Sequence, residues 1–273
     1  MVLGSLAVAA LLAVVVLVVR SQTPSAESTT VAPRPQGTSS QASQVQLPTI
    51  SELETAKLFA ARRAGRVSFA VVDTSGALAC YRCRFSYHSA SIVKAMLLVS
   101  YLHQVSRSGE PLQADHEAYL ESMIRRSDND AATAIYAHVG DKGLSELAAQ
   151  AQMADFRVSG SWGSAQITAA DQARFFADLG VLTAPEYRDY VLALLTSISQ
   201  EQSWGIPEVA RPEWQTFFKG GWLTHEDGSL VHQVARLEQG EETMAIAVLT
   251  DGNPSDAYGR ETIAGVAARL LRE

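Results

Sequence analysis

Ser91 to Gln104 reads SIVKAMLLVSYLHQ, an apolar, helix-periodic run that opens on Ser91-Ile92-Val93-Lys94. A spacing of three puts the serine and the lysine on one helical face, so the amine can reach the hydroxyl. Serine is a weak nucleophile until its proton is taken, and a desolvated lysine of lowered pKa can take it. The start of the helix also offers backbone N–H groups to a developing oxyanion. Read alone, the tetrapeptide is equally an N-cap serine with a solvated lysine one turn later.

Downstream of this run the chain stays helical. Leu112 to Arg126 is amphipathic, and shorter helical segments are expected near 129–138, 143–152, 169–179 and 185–197. Strands are expected at the two ends: Val67–Asp73 and Ala77–Arg82 around the turn Thr74-Ser75-Gly76, then Thr216–Trp222, Leu230–Leu237 and Thr243–Thr250. A capping box of Ser51 and Glu54 is expected to start a helix running to about Arg63, and a last helix covers about Asp256–Leu271. The expected class is α+β: a five-stranded antiparallel sheet covered by the N- and C-terminal helices, with an inserted all-helical subdomain. The α/β lobe takes about 49–86 and 198–273, the helical lobe about 87–197, and a cleft between two lobes is a natural site.

Two more short motifs follow in order. Ser127-Asp128-Asn129 lies between two helices, where a hydroxyl can relay a proton and an amide can hold a substrate carbonyl; singly, it also reads as helix capping. Lys219-Gly220-Gly221 lies in a strand, where glycine marks a bulge or the close approach of another backbone. S-x-x-K, then S-D-N, then K-x-G on a late strand is a signature set of serine acyl-transfer enzymes. Two of the chain's four lysines occupy its two lysine positions. On these motifs, residues 49–273 resemble the serine β-lactamase and D,D-peptidase (penicillin-binding protein) superfamily, closest to class A. Phe85 upstream and Ala131-Ala132 after the second motif fit the same pattern.

The resemblance implies Ser91 as the nucleophile, acylated by a β-lactam or a peptidoglycan stem peptide, and Lys94 as its proton acceptor. It implies Ser127 as the proton relay to the leaving nitrogen, tuned by Lys219, and Asn129 as a binder of the substrate amide. Gly220, Gly221 and Trp222 would line the substrate strand, with the N–H groups of Ser91 and Trp222 as oxyanion hole. It implies no metal and no cofactor, and a monomer.

Two departures bear on activity. Class A enzymes carry a glutamate on the omega loop that activates the deacylating water; here Phe156–Thr168 reads FRVSGSWGSAQIT, without a carboxylate. The flanking Thr168-Ala-Ala-Asp171 is expected to be a capping box. Such a base contributes about 10²–10⁴-fold, so acylation without efficient turnover is expected. Gly220 stands where the family has a hydroxyl donor to the substrate carboxylate, and Arg236 is the candidate substitute. Three functions follow as expectations: a β-lactamase-like serine hydrolase, a D,D-carboxypeptidase, or a non-catalytic cell-wall-binding relative with a loop plug around Trp162.

Composition excludes other classes. The 273-residue chain is 47% hydrophobic with a formal net charge of −7, a poor match for nucleic acid. No H-E-x-x-H, P-loop or G-x-S-x-G occurs. Val2 to Val19 is an uncharged apolar run, about 27 Å long as a helix, read as a signal-anchor or signal peptide over 1–20. Residues 21–48, rich in Ser, Thr, Pro and Gln, read as a disordered linker. Together they predict a single-pass membrane protein with its domain outside the cytoplasm, or a secreted one if the segment is cleaved. Cys80 and Cys83 are expected on an extended strand, where i and i+3 lie about 10 Å apart and need a bend before a disulfide can form.

Overall fold

The computed structural model describes residues 47–272. The expected membrane segment 1–20 and all but the end of the linker lie outside the described residues. Among those described, no helix is long and apolar enough to cross a membrane.

Helix α1 (Ile50–Ala61) leads into strands β1 (Arg66–Asp73) and β2 (Leu78–Tyr81), then a short strand β3 (Tyr87–His88). A 3₁₀ turn at Ala90–Val93 opens α2 (Lys94–Ser108), followed by α3 (Ala114–Arg125) and α4 (Asn129–Gln150). Strand β4 (Gln166–Ile167), α5 (Ala169–Ala177), α6 (Leu179–Leu182), α7 (Arg188–Thr196) and α8 (Ile206–Val209) complete the inserted half. Strands β5 (Gln215–His225), β6 (Gly228–Gln239) and β7 (Glu242–Asn253) and helix α9 (Asp256–Leu270) close the chain. The five long strands form one antiparallel sheet in the order β2-β1-β7-β6-β5, so the two ends of the sequence meet where β1 pairs with β7.

Residue parity along β6 shows how the sheet is sandwiched. Val231 meets Gly259 of α9, whereas the Arg236 guanidinium, five residues on and therefore on the other face, reaches the Phe176 and Ala177 carbonyls at the end of α5. α1 packs with α9 on the first face, and α5 packs on β1, β6 and β7 on the second. Helices α2, α3 and α4 pack on one another beyond α5. Gly140, at φ +61°, breaks α4 where the sequence suggests two segments.

Three local expectations are corrected. The cap of α1 is Thr49 with Glu52, because the helix starts at Ile50 and the reciprocal bonds close there instead of at Ser51 and Glu54. Thr168 caps α5 through the Asp171 N–H, but the Asp171 carboxylate does not return to Thr168; it accepts from the Ala154 and Asp155 N–H groups and so fixes the start of the 156–168 loop. Strand β2 ends at Tyr81, and Arg82 takes φ +48°, folding Cys83 back. That bend brings the Cys80 and Cys83 Cα atoms to 5.7 Å, and they form a disulfide.

One buried group ties the sheet to the nucleophile segment. His232, with no exposed surface, accepts from the Thr250 N–H at Nδ1 and donates from Nε2 to the His88 carbonyl, three residues before Ser91. Burial pushes its pKa down to about 4, well under the ordinary 6.5, with backbone bonds to Val231 and His88 and the charge of Asp251 opposing and Arg66 assisting. Neutral His232 is thus required by the fold. Its contribution is whole above pH 6.5 and is lost as pH falls toward 4, at about 1.4 kcal/mol per unit, on the order of 3 kcal/mol in all. Urea midpoints at pH 7 and pH 4.5 for wild type and His232→Gln are expected to show wild type losing about 2–3 kcal/mol more than the variant; equal losses would sink this account.

Candidate active site

The sheet edge and the helical half meet at a cavity of about 510 Å³. Its walls carry Ser91 and His88 from the β3–α2 junction, Arg126, Ser127 and Asn129 from the α3–α4 junction, Trp162 from the 156–168 loop, and Trp222 and His225 from β5. Residues from four separate parts of the sequence therefore converge there, among them Ser91, Ser127, Asn129 and Trp222 of those expected. Among the described residues, no three His, Cys, Asp or Glu side chains group closely enough to hold a metal ion.

Each position has a local cause. Ala90 at φ +44° turns the chain so that Ser91 enters the 3₁₀ turn facing the cavity, and α2 continues from Lys94 into the core. Ser127 at φ +58° lies between α3 and α4, where Asp128 caps α4 through the Ala131 N–H. Strained non-glycine backbone of this kind clusters at functional sites. On β5, Gly221 passes against the nucleophile turn: a Cβ there would lie 2.8 Å from Ser91 N and 3.0 Å from Ile92 N. Glycine is what lets the strand come this close.

Ser127 is the centre of the polar network. Lys94 Nζ donates to the Ser127 carbonyl at 2.5 Å, to Ser127 Oγ at 3.3 Å and to Asn129 Oδ1 at 2.7 Å. Lys219 Nζ donates to Ser127 Oγ at 3.1 Å and to the Gly220 carbonyl at 2.9 Å. The Lys94 amine is thus held by Ser127 and Asn129, not by Ser91. Both lysines are fully buried. Burial lowers the Lys94 pKa to about 8, partly offset by the charge of Asp128. Lys219 lies well below its ordinary value, first by burial and then by the charge of Lys94. Two ammonium groups sharing one hydroxyl favour the neutral form of one of them.

The 156–168 loop occupies the space beside Lys94. The Trp162 ring centre lies 4.9 Å from Lys94 Nζ, and its indole N–H donates to Thr133 Oγ1 of α4. Ser89 Oγ donates to the Trp162 carbonyl, and the Gly160 N–H donates to the Asp141 carboxylate. No Asp or Glu lines the cavity.

Arg236 does not reach the site. It pairs with Phe217, nearer the start of β5 than Lys219, and its guanidinium is held there by Glu238 and by the α5 carbonyls. Facing Gly220 is Trp204 instead, whose ring would lie 3.1 Å from a Cβ added there. The Trp204 and Trp222 rings pack edge to face, with Arg260 of α9 over Trp204. Neither Trp204 nor Arg126 is singled out by the motifs, although Arg126 directly precedes Ser127.

The model of the Beta-lactamase enzyme family matches residues 109–273. The chain belongs to this family. The match starts downstream of Ser91 and Lys94, and the fold likeness extends further. An ancestral class A β-lactamase (GNCA) superposes with TM-score 0.69 at 19% identity, over 81% of this chain and 98% of that one. A β-lactamase from Sphaerobacter thermophilus gives 0.70 at 20%, over 81% and 96%. One from Xanthomonas campestris pv. campestris gives 0.68 at 15%, over 82% and 98%. No curated protein matches the chain. The five-stranded sheet with its helices is the class A α+β fold, and family membership makes the chain a β-lactamase-like serine hydrolase.

Proposed function

We propose that this β-lactamase-like hydrolase is an exported, membrane-anchored enzyme that forms a long-lived acyl-enzyme at Ser91 with β-lactams and with D-alanyl peptides of the cell wall. The observation that carries this reading is the Trp162 ring beside Lys94, in a cavity without a carboxylate. In the proposed sequence, neutral Lys94 takes the Ser91 proton as Oγ attacks the carbonyl carbon. The N–H groups of Ser91 and Trp222 hold the oxyanion. The C–N bond then breaks, and Ser127, between the two lysines, passes a proton to the departing nitrogen. Asn129 orients the acyl-side amide. Water must next attack the ester, and an aromatic face cannot accept its proton. The missing base slows this step by about 10²–10⁴-fold.

The test is intact mass spectrometry of the purified protein after mixing with benzylpenicillin, with Ser91→Ala as control. A wild-type adduct of the penicillin's mass that persists for tens of minutes, absent from the control, is expected. Rapid hydrolysis of the penicillin with no lingering adduct would overturn slow deacylation. No adduct and no hydrolysis, with D-alanyl peptides also inert, would favour the non-catalytic reading.

A further inference from the structure

We propose that Arg126 is the residue that binds the carboxylate on the leaving-group side of the substrate, an inference that rests on the acyl-enzyme reading above. The substrates in question carry that carboxylate close to the bond that breaks: in a D-alanyl peptide it sits on the carbon attached to the departing nitrogen. Of the β5 side chains that line the cavity, Trp222, Leu223 and His225, only His225 at the strand's end could receive it, and an imidazole lacks the planar fork of a guanidinium. Gly220 has no side chain, and the Trp204 ring, 3.1 Å from where a Cβ would stand, fills the space a hydroxyl-bearing side chain would need. Lys219 is wholly buried and committed to Ser127 and Gly220. Arg236, paired with Phe217 further along β6, is held by the α5 carbonyls and Glu238 and does not line the cavity.

Arg126 has what the strand lacks. It lines the cavity and is exposed. Nη2 donates to Ser122 Oγ at 2.9 Å, and no ion pair with a described carboxylate engages the guanidinium. The carboxylate nearest in sequence, Asp128, is occupied by the Ala131 N–H and by Ser122 Oγ. A guanidinium has five N–H donors in a planar fork, so enough remain to take both oxygens of a carboxylate. The one hydrogen bond to Ser122 holds the side chain without neutralising it. Its place is also right: Arg126 adjoins Ser127, the proposed donor to the leaving group, and both line one cavity. In a chain of net charge −7, the charged or ionisable side chains on this wall are Arg126, His88 and His225, with no acid among them. The local field therefore favours an anion.

The experiment compares N-benzoyl-D-alanyl thioglycolic acid with its methyl ester, using full-length protein in detergent and following thiol release together with the acyl adduct at Ser91. Wild type is expected to prefer the acid by about tenfold in acylation rate at low salt, and less at 0.5 M salt, as for an exposed pair. In Arg126→Gln the acid-over-ester ratio is expected to fall to near one, with Arg126→Lys between. A ratio unchanged in Arg126→Gln, or equal losses on both thioesters, would overturn the assignment while leaving the acyl-enzyme reading intact. Failure of both thioesters and of benzylpenicillin to acylate Ser91 would overturn that reading and this assignment with it.

Discussion

Replacing Lys94 by alanine is expected to slow acylation of Ser91 by about 10³-fold or more, within the range that general bases supply. Lys94 is the basic group one turn from Ser91 with a pKa, about 8, near neutral pH. Its amine is also the cation that Ser127 and Asn129 are arranged around. Removal takes away the base and frees both partners to reorient. The pH profile separates the first effect from the second. Burial lowers this pKa, so the neutral, proton-accepting form dominates above about 8 and becomes tenfold scarcer with each unit below it. Wild-type acylation, timed by quenched mass spectrometry, is expected to rise with pH and level off above 8. In Lys94→Ala the residual rate is expected to lose this limb. A variant that keeps both rate and limb would move the base role to Lys219, which burial and the Lys94 charge also drive down.

The readable parts of this molecule are those fixed by periodicity and spacing. The strands at both ends of the chain, the helical insertion and the order of the three motifs are local patterns, and local patterns are visible in one sequence. Convergence of Ser91, Ser127 and Asn129 on one cavity follows once the fold is in place. The features that escape depend on register or on long-range contacts. Arg236 shares its face with Val234 and His232, the partners of Lys219 and Gly221, but it pairs with Phe217, further along β6, where its guanidinium meets the α5 carbonyls before the cavity; parity alone does not show that displacement. The disulfide depends on a positive φ at Arg82, a residue type with no preference for it. Thr49 with Glu52 and Ser51 with Glu54 are the same pattern two residues apart, so spacing alone cannot choose. The Trp162 position is set by Asp141, Thr133 and Ser89, from 21 to 73 residues away, which no window around the loop contains.

Gly221→Ala is expected to reduce acylation by about 10²–10³-fold in a protein that still folds, the scale of losing one oxyanion donor. The added methyl would lie 2.8 Å from Ser91 N, 3.0 Å from Ile92 N and 3.3 Å from the Ser89 carbonyl oxygen, all backbone atoms that no rotamer change can move aside. Either β5 shifts outward or the 3₁₀ turn shifts inward, and each separates the Ser91 N–H from that of Trp222. Overpacking of this size costs about 1–3 kcal/mol, so thermal stability is expected to fall as well. Gly180→Ala is the control, since a Cβ there meets only the Arg188 side chain at 3.9 Å; it is expected to retain wild-type acylation. The reading depends on order of effects. If Gly221→Ala melts several degrees lower yet acylates at the wild-type rate, the N–H pair is not where the oxyanion is held. If it loses acylation with its melting temperature nearly kept, the close approach of β5 to Ser91 serves the chemistry more than the fold, and glycine at this position is explained by the oxyanion alone.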